Sequence, residues 1–174
     1  MPLIVEDGTM PQGANSYISI AFMRQFATDR GVDLSAKSDA QVTAMILPTT
    51  DYLENLRDRY VGCVATDTQS LQFPRQGIIL PNGTPLPSSG PGSIPSDLQN
   101  GQGQLVLEVN NGVDLLPTID NNKTGGFIVR RKTDVLEKEF SEKIGTSKQP
   151  YMPKVMRWLS TLLKPSVALK VVRV

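Results

Sequence analysis

The stretch Gln69-Ser70-Leu71-Gln72-Phe73-Pro74-Arg75-Gln76-Gly77 is where this chain can continue neither as a helix nor as a regular strand. Pro74 drives Phe73 out of the helical region and removes a backbone donor, and Gly77 permits the turn that follows. An apolar anchor, a proline, an arginine and a glycine this close together predict a fixed corner between a helical first half and a second half of loop and hairpin. Held there, Arg75 can serve catalysis or an ion pair across a subunit boundary. Local chemistry alone favours a plainer outcome, with Phe73 buried and Arg75 in solvent.

Before the corner, Leu3-Ile4-Val5 is a short strand candidate followed by turns at Asp7-Gly8 and Pro11-Gln12-Gly13. Ser19 is placed to cap a helix over residues 20 to 30 that buries Ile20, Met23, Phe26 and Ala27, with Gly31 as its left-handed stop. Ser38-Asp39-Ala40-Gln41 has capping-box spacing and opens a second apolar stripe through Val42, Met45, Ile46, Leu53, Leu56 and Tyr60. Pro48 interrupts that stripe, which predicts a kinked helix or two helices meeting at Leu47. Beyond the corner, residues 81–93 are too poor in apolar side chains to build a core and read as an exposed loop, either a connector or a contact surface. Pro95 opens a third helix that buries Leu98, Leu105, Val106 and Val109. Gly101 and Gly103 each weaken it by about 1 kcal/mol relative to alanine, unless they let another segment come close.

Residues 127–140 read as a β-hairpin around Thr133-Asp134, a register that sets Arg130 opposite Glu137 and Phe127 opposite Phe140. The basic run Arg130-Arg131-Lys132 is followed by Asp134, Glu137, Glu139 and Glu142, so the hairpin neutralises itself. Pro153 begins a last helix with Val155, Trp158, Leu159, Leu162 and Leu163 on its apolar side, and Pro165 stops it. Residues 166–174 are β-prone and apolar, and need a partner strand from another chain, or from Leu3-Ile4-Val5 or the hairpin of their own. The fold class expected is mainly α: a small helical bundle with a β-hairpin and extended terminal arms.

Composition narrows the chemistry. A length of 174 residues fits a single domain spanning 1–174, able to bury roughly 70% of its unfolded surface. Eighteen Lys and Arg against 17 Asp and Glu give a net charge of +1, so an anionic partner must meet a local patch. There is no histidine and one cysteine, Cys63, which removes Ser-His and Cys-His nucleophile pairs, the usual zinc-ligand sets and any internal disulfide. No enzymatic activity, metal or cofactor is expected. A basic leader and a membrane-spanning run are both lacking, so a soluble protein made inside the cell is expected.

In order along the chain, Ile4-Val5-Glu6-Asp7-Gly8-Thr9, Asn15-Ser16-Tyr17-Ile18-Ser19, Arg30-Gly31, Asp51-Tyr52-Leu53, Tyr60-Val61-Gly62, Gln69, Leu71, Phe73-Pro74-Arg75, Gly77 and Ile94-Pro95 form one pattern with the hairpin and the helix after Pro153. That pattern resembles the tailed-phage head-to-tail adaptor (connector or neck) family, also labelled DnaT-like single-stranded-DNA-binding proteins. It departs from it in Phe73, where the family usually has tryptophan, in the inserted loop 81–93, and in Pro48, Gly101 and Gly103 within helices. The resemblance implies a structural, non-enzymatic adaptor: identical subunits in a roughly twelve-fold ring under the portal protein, extending the DNA channel and docking the next neck or tail protein. It implies a place in the virion neck after synthesis in the host cytoplasm, with no membrane partner. Arg75 and the C-terminal arm 166–174, through Val167, Leu169, Lys170, Val171, Val172 and Arg173, would then form subunit or portal interfaces. Arg130, Lys132, Lys138 and Lys143 would line a channel that passes DNA without sequence specificity.

Two other functions are open. A single-stranded-DNA-binding module fits the family label, although 6% aromatic residues and near-neutral charge offer few stacking platforms. The second is a hydrolase using carboxylates such as Asp51 and Glu54, whose spacing puts both on one helix face, though surface solvation explains that pair equally well.

Overall fold

The structure, a computed structural model, describes residues 2–116 and 152–164 in full, and the backbone of strands 128–131 and 138–140. The order is α1 (Ile20–Thr28), α2 (Asp39–Glu54), a 3-10 turn (Arg57–Arg59), β1 (Cys63–Val64), β2 (Arg75–Gln76), α3 (Ser96–Asn110), β3 (Ile128–Arg131), β4 (Lys138–Phe140) and α4 (Pro153–Leu159). The fold is mainly helical with a small antiparallel hairpin, as its residue pattern predicts. The chain groups into two compact units, one of residues 1–115 with 151–174 and one of residues 116–150.

Local chemistry explains where the helices start. Ser19 Oγ accepts the Phe22 N–H at the start of α1, and Gly31 follows it at φ +72°. At α2 the capping box is complete: Ser38 Oγ accepts the Gln41 N–H while the Gln41 side chain accepts the Ser38 N–H. Helix α2 then runs through Pro48 to Glu54, so the alternative of two helices meeting at Leu47 is set aside. Burial of its apolar side, with Val42, Ile46, Tyr52 and Leu53, offsets the backbone hydrogen bond that Pro48 cannot donate.

Helix α3 lies against α1, α2 and α4. Its glycines are buried, and each makes room for a neighbour: a Cβ on Gly101 would stand 3.2 Å from Leu159 of α4, and one on Gly103 would stand 2.9 Å from the Phe26 ring of α1. Weak helix propensity is the cost of these approaches. Around α3 the apolar residues form two clusters, a larger one with Tyr17, Phe73, Leu98, Leu105, Val155 and Leu159, and a smaller one with Met23, Phe26, Ile46 and Val106.

Three expectations are corrected. Leu3-Ile4-Val5 forms no strand; Val5 makes a single parallel bridge to Ser16. In the hairpin, Arg130 stands opposite Glu139 instead of Glu137, and Phe140 opposite Ile128 instead of Phe127, with an irregularity between Ile128 and Arg130. A two-residue turn at Thr133-Asp134 lacks the residues that favour positive φ, and here the last pair is Arg131 with Lys138, leaving residues 132–137 between the strands. Finally, the loop 81–93 is largely exposed as expected but is tied down, since Leu86 is buried and donates its N–H to Ile78 O, while Gly90 donates to Gly8 O. The C-terminal arm 166–174, Lys132 and Lys143 lie outside the described residues.

Candidate functional site

The corner is real and its arginine faces inward. Phe73 is 0% exposed, with edge contacts to Tyr17 and Tyr60 at centroid distances of 6.2 and 5.1 Å. Pairing of β1 with β2 sets Val64 opposite Arg75 and brings the corner beside residues 61–64. Arg75 is 5% exposed: Nε donates to Val61 O at 2.9 Å, Nη2 to Gly62 O at 2.8 Å and Nη1 to Gln72 Oε1 at 2.9 Å. The solvated arginine favoured by local chemistry is thereby corrected, because the guanidinium fork satisfies carbonyls that the turn would otherwise leave bare.

Beneath the corner lies a polar network that no sequence motif announces. Tyr17 Oη donates to Glu54 Oε1 at 2.5 Å and accepts the Phe73 N–H at 3.2 Å, while the Gln72 N–H reaches both Glu54 oxygens at 3.2 and 3.1 Å. Burial pushes the Glu54 carboxyl above its ordinary range, opposed by those donors and by Arg57 and Arg75. Buried Gln102 on α3 accepts the Tyr17 N–H at 3.0 Å and donates to Thr50 Oγ1 at 2.9 Å. Asp51 and Glu54 do share a cleft, as their spacing predicts, but Glu54 is fully engaged in holding the corner to α2. Glu54 therefore serves the architecture of the corner.

A second cavity, of about 580 Å³, is lined by Arg30 after α1, Asp97 and Gln104 of α3, and Lys154, Arg157 and Trp158 of α4. Its construction follows from the helices. Pro153 starts α4, and the three- and four-residue spacing places Lys154, Arg157 and Trp158 on one face. Gly101 lets that face approach α3, with a Cβ there only 3.7 Å from Trp158 Cβ. Arg30 lies flat over Phe26, its guanidinium carbon 3.4 Å from the ring centroid, and Nη1 donates to Phe26 O at 3.2 Å. Lys154 meets Glu108 at 3.3 Å, and Gln104 Nε2 donates to the same carboxylate at 3.0 Å. Asp97 Oδ2 accepts the Thr161 hydroxyl at 3.0 Å.

Half-buried Trp158 thus stands in an open groove with two guanidinium groups and an ammonium. Neither Arg30 nor Arg157 makes an ion pair with a described carboxylate. Such a groove offers a ring face to a base and cations to phosphates. Sequence reading put Trp158 on the apolar side of α4 and passed over the groove, although Lys154-x-x-Arg157-Trp158 after a helix-starting proline carried the signal.

Of the residues expected to line a DNA channel, Arg130 and Lys138 lie in β3 and β4. Among the described residues no group of Cys, Asp and Glu is arranged to hold a metal ion, and no helix is long and apolar enough to cross a membrane. Compared with known proteins, residues 1–174 match the model of the family described as "Putative DnaT-like ssDNA binding protein". No curated protein matches the chain, and no solved structure does.

Proposed function

We propose, from the premise that the chain belongs to the DnaT-like ssDNA binding protein family over its whole length, that it is a non-catalytic module which contacts single-stranded DNA through the α3–α4 groove. The observation that carries this reading is the meeting of Arg30, Lys154 and Arg157 around Trp158. An unpaired base can stack on an indole that a duplex keeps away, and stacking contributes about 1–3 kcal/mol per base. The groove also answers the objection from composition, since a chain of net charge +1 can hold a strand where its cations cluster locally. Lys154 is partly neutralised by Glu108, so the arginines carry most of the attraction.

The chain has one tryptophan, so its fluorescence reports this groove directly. Titration with a dT oligonucleotide is expected to quench it, and Trp158→Ala, followed by anisotropy of a labelled strand, is expected to weaken binding by roughly one to two orders of magnitude. Unchanged fluorescence and no binding by the unaltered protein would remove the reading.

A second reading, the head-to-tail adaptor, is supported by the antiparallel β3–β4 hairpin, an element suited to pairing with a neighbouring chain. In it, identical subunits close a ring under a portal in the virion neck, Arg130, Lys132, Lys138 and Lys143 face passing DNA, and Val167 to Arg173 join neighbours. Arg75 would contribute by holding the corner rather than by reaching a partner, because its donors are engaged within the chain. Negative-stain images and a solution mass separate the two: closed rings favour the adaptor, and a monomer that prefers single strands to duplex favours the module.

A further inference from the structure

The groove between α3 and α4 holds more than cations and a ring. Asp97, Gly101 and Gln104 follow one another on one face of α3, four and three residues apart. Trp158 Cβ lies 3.7 Å from where a Cβ on Gly101 would stand, so the indole is rooted between the two polar side chains. Along the helix axis Asp97 and Gln104 are about 10 Å apart. The first turn of α3 favours a negative charge at Asp97. In a path for phosphates, however, that charge opposes binding, and the part of a strand it can attract is a base edge that donates hydrogen bonds.

Both side chains meet the groove as acceptors. Gln104 Nε2 donates to Glu108 at 3.0 Å, and because a carboxylate only accepts, this contact fixes the amide and leaves its oxygen as the group on offer. Asp97 Oδ2 accepts the Thr161 hydroxyl at 3.0 Å, and among the described residues no other donor reaches that carboxylate. Arg30 and Arg157 line the same cavity. Arg30 is fixed flat on Phe26 by its bond to Phe26 O, and neither arginine pairs with a described carboxylate.

The four bases fit this set of groups unequally. Adenine and cytosine each place an amino group beside a ring nitrogen that accepts, so a carboxylate is attracted by one and repelled by the other. Thymine sets its single N3–H between two carbonyls. Guanine alone puts two donors, N1–H and the N2 amino group, side by side, and it adds the O6 and N7 acceptors that suit a guanidinium. We infer that the α3–α4 groove prefers guanine in a single strand, with Asp97 accepting from N1–H and N2, an arginine of the groove donating to O6 or N7, and Trp158 stacking on the ring. This inference rests on the strand-binding function proposed above and adds to it the base that the groove selects.

The test measures the affinity of the full-length protein for a short dT strand, for the same strand with one central dG, and for the same strand with inosine there, which lacks the N2 amino group. One dG is expected to tighten binding roughly tenfold, and inosine by clearly less. Asp97→Asn exchanges one acceptor oxygen for a donor. It is expected to abolish the dG advantage and to tighten the dT strand, because a negative charge leaves the phosphate path. Free dGMP is expected to compete far more weakly than the dG strand, since it lacks the flanking phosphates. If the dT strand binds and moves the Trp158 fluorescence but dG brings no gain, this inference fails while the strand-binding function stands; if no strand binds, both fail. A dG advantage that survives Asp97→Asn, an inosine strand as tight as the dG strand, or dGMP that competes as well as the strand would also overturn it.

Discussion

At the scale of single residues, the corner shows a buried ring and a buried charge solving different problems. Phe73 fills the space between Tyr17 and Tyr60, so Phe73→Ala removes an aromatic anchor that the surrounding rings cannot replace. A loss of roughly 3–5 kcal/mol is expected, read as a lowered denaturant midpoint at constant slope. Glu54 makes a prediction in pH. Its native carboxyl titrates above the ordinary 4.5, so between that value and the native one the folded state holds the proton that the unfolded state has released. Stability therefore falls as pH rises through that window, and Glu54→Gln is expected to flatten this part of the stability profile, which urea titrations at several pH values will follow. An unchanged profile would mean that the carboxyl is better compensated than its burial implies.

At the scale of elements, helix propensity and packing compete openly in α3. Alanine in place of Gly103 gains about 1 kcal/mol of helix propensity. The added methyl would meet the Phe26 ring at 2.9 Å, in an interior where overpacking costs about 1–3 kcal/mol. Gly103→Ala is accordingly expected to lower the melting temperature, and a rise would show that α1 yields easily. The same element shows what a sequence can and cannot disclose. Ser38 with Gln41, Ser19, and Pro153 act on their immediate neighbours, and the helices they predict are present. Gln102 and Arg75 act across the chain: Gln102 bonds to Tyr17, 85 residues away, and Arg75 to carbonyls brought near by the short β1–β2 pairing. Nothing in their local context marks them as buried. The hairpin register fails for a related reason, because the span between paired strands was inferred from a dipeptide with no strong turn preference.

At the scale of the whole molecule, a near-neutral chain still concentrates charge locally. Arg30, Lys154 and Arg157 outnumber Asp97 around Trp158 between α3 and α4, and Asp51 and Glu54 outnumber Arg57 in the cleft between α2 and the corner. Composition averages over these regions, which is why it conceals the local cations of the α3–α4 groove, while the spacing within α4 already held the cationic face. In the proposed function this face binds single strands by phosphate contact as well as by stacking. For single strands the salt slope of log binding constant is about −0.7 per phosphate neutralised. The decisive measurement is the affinity for a short dT oligonucleotide across a salt series, for the unaltered protein and for Arg157→Gln. If the groove is the site, the substitution weakens binding at low salt and makes the slope shallower by about 0.7; identical affinities and slopes for the two proteins would contradict it.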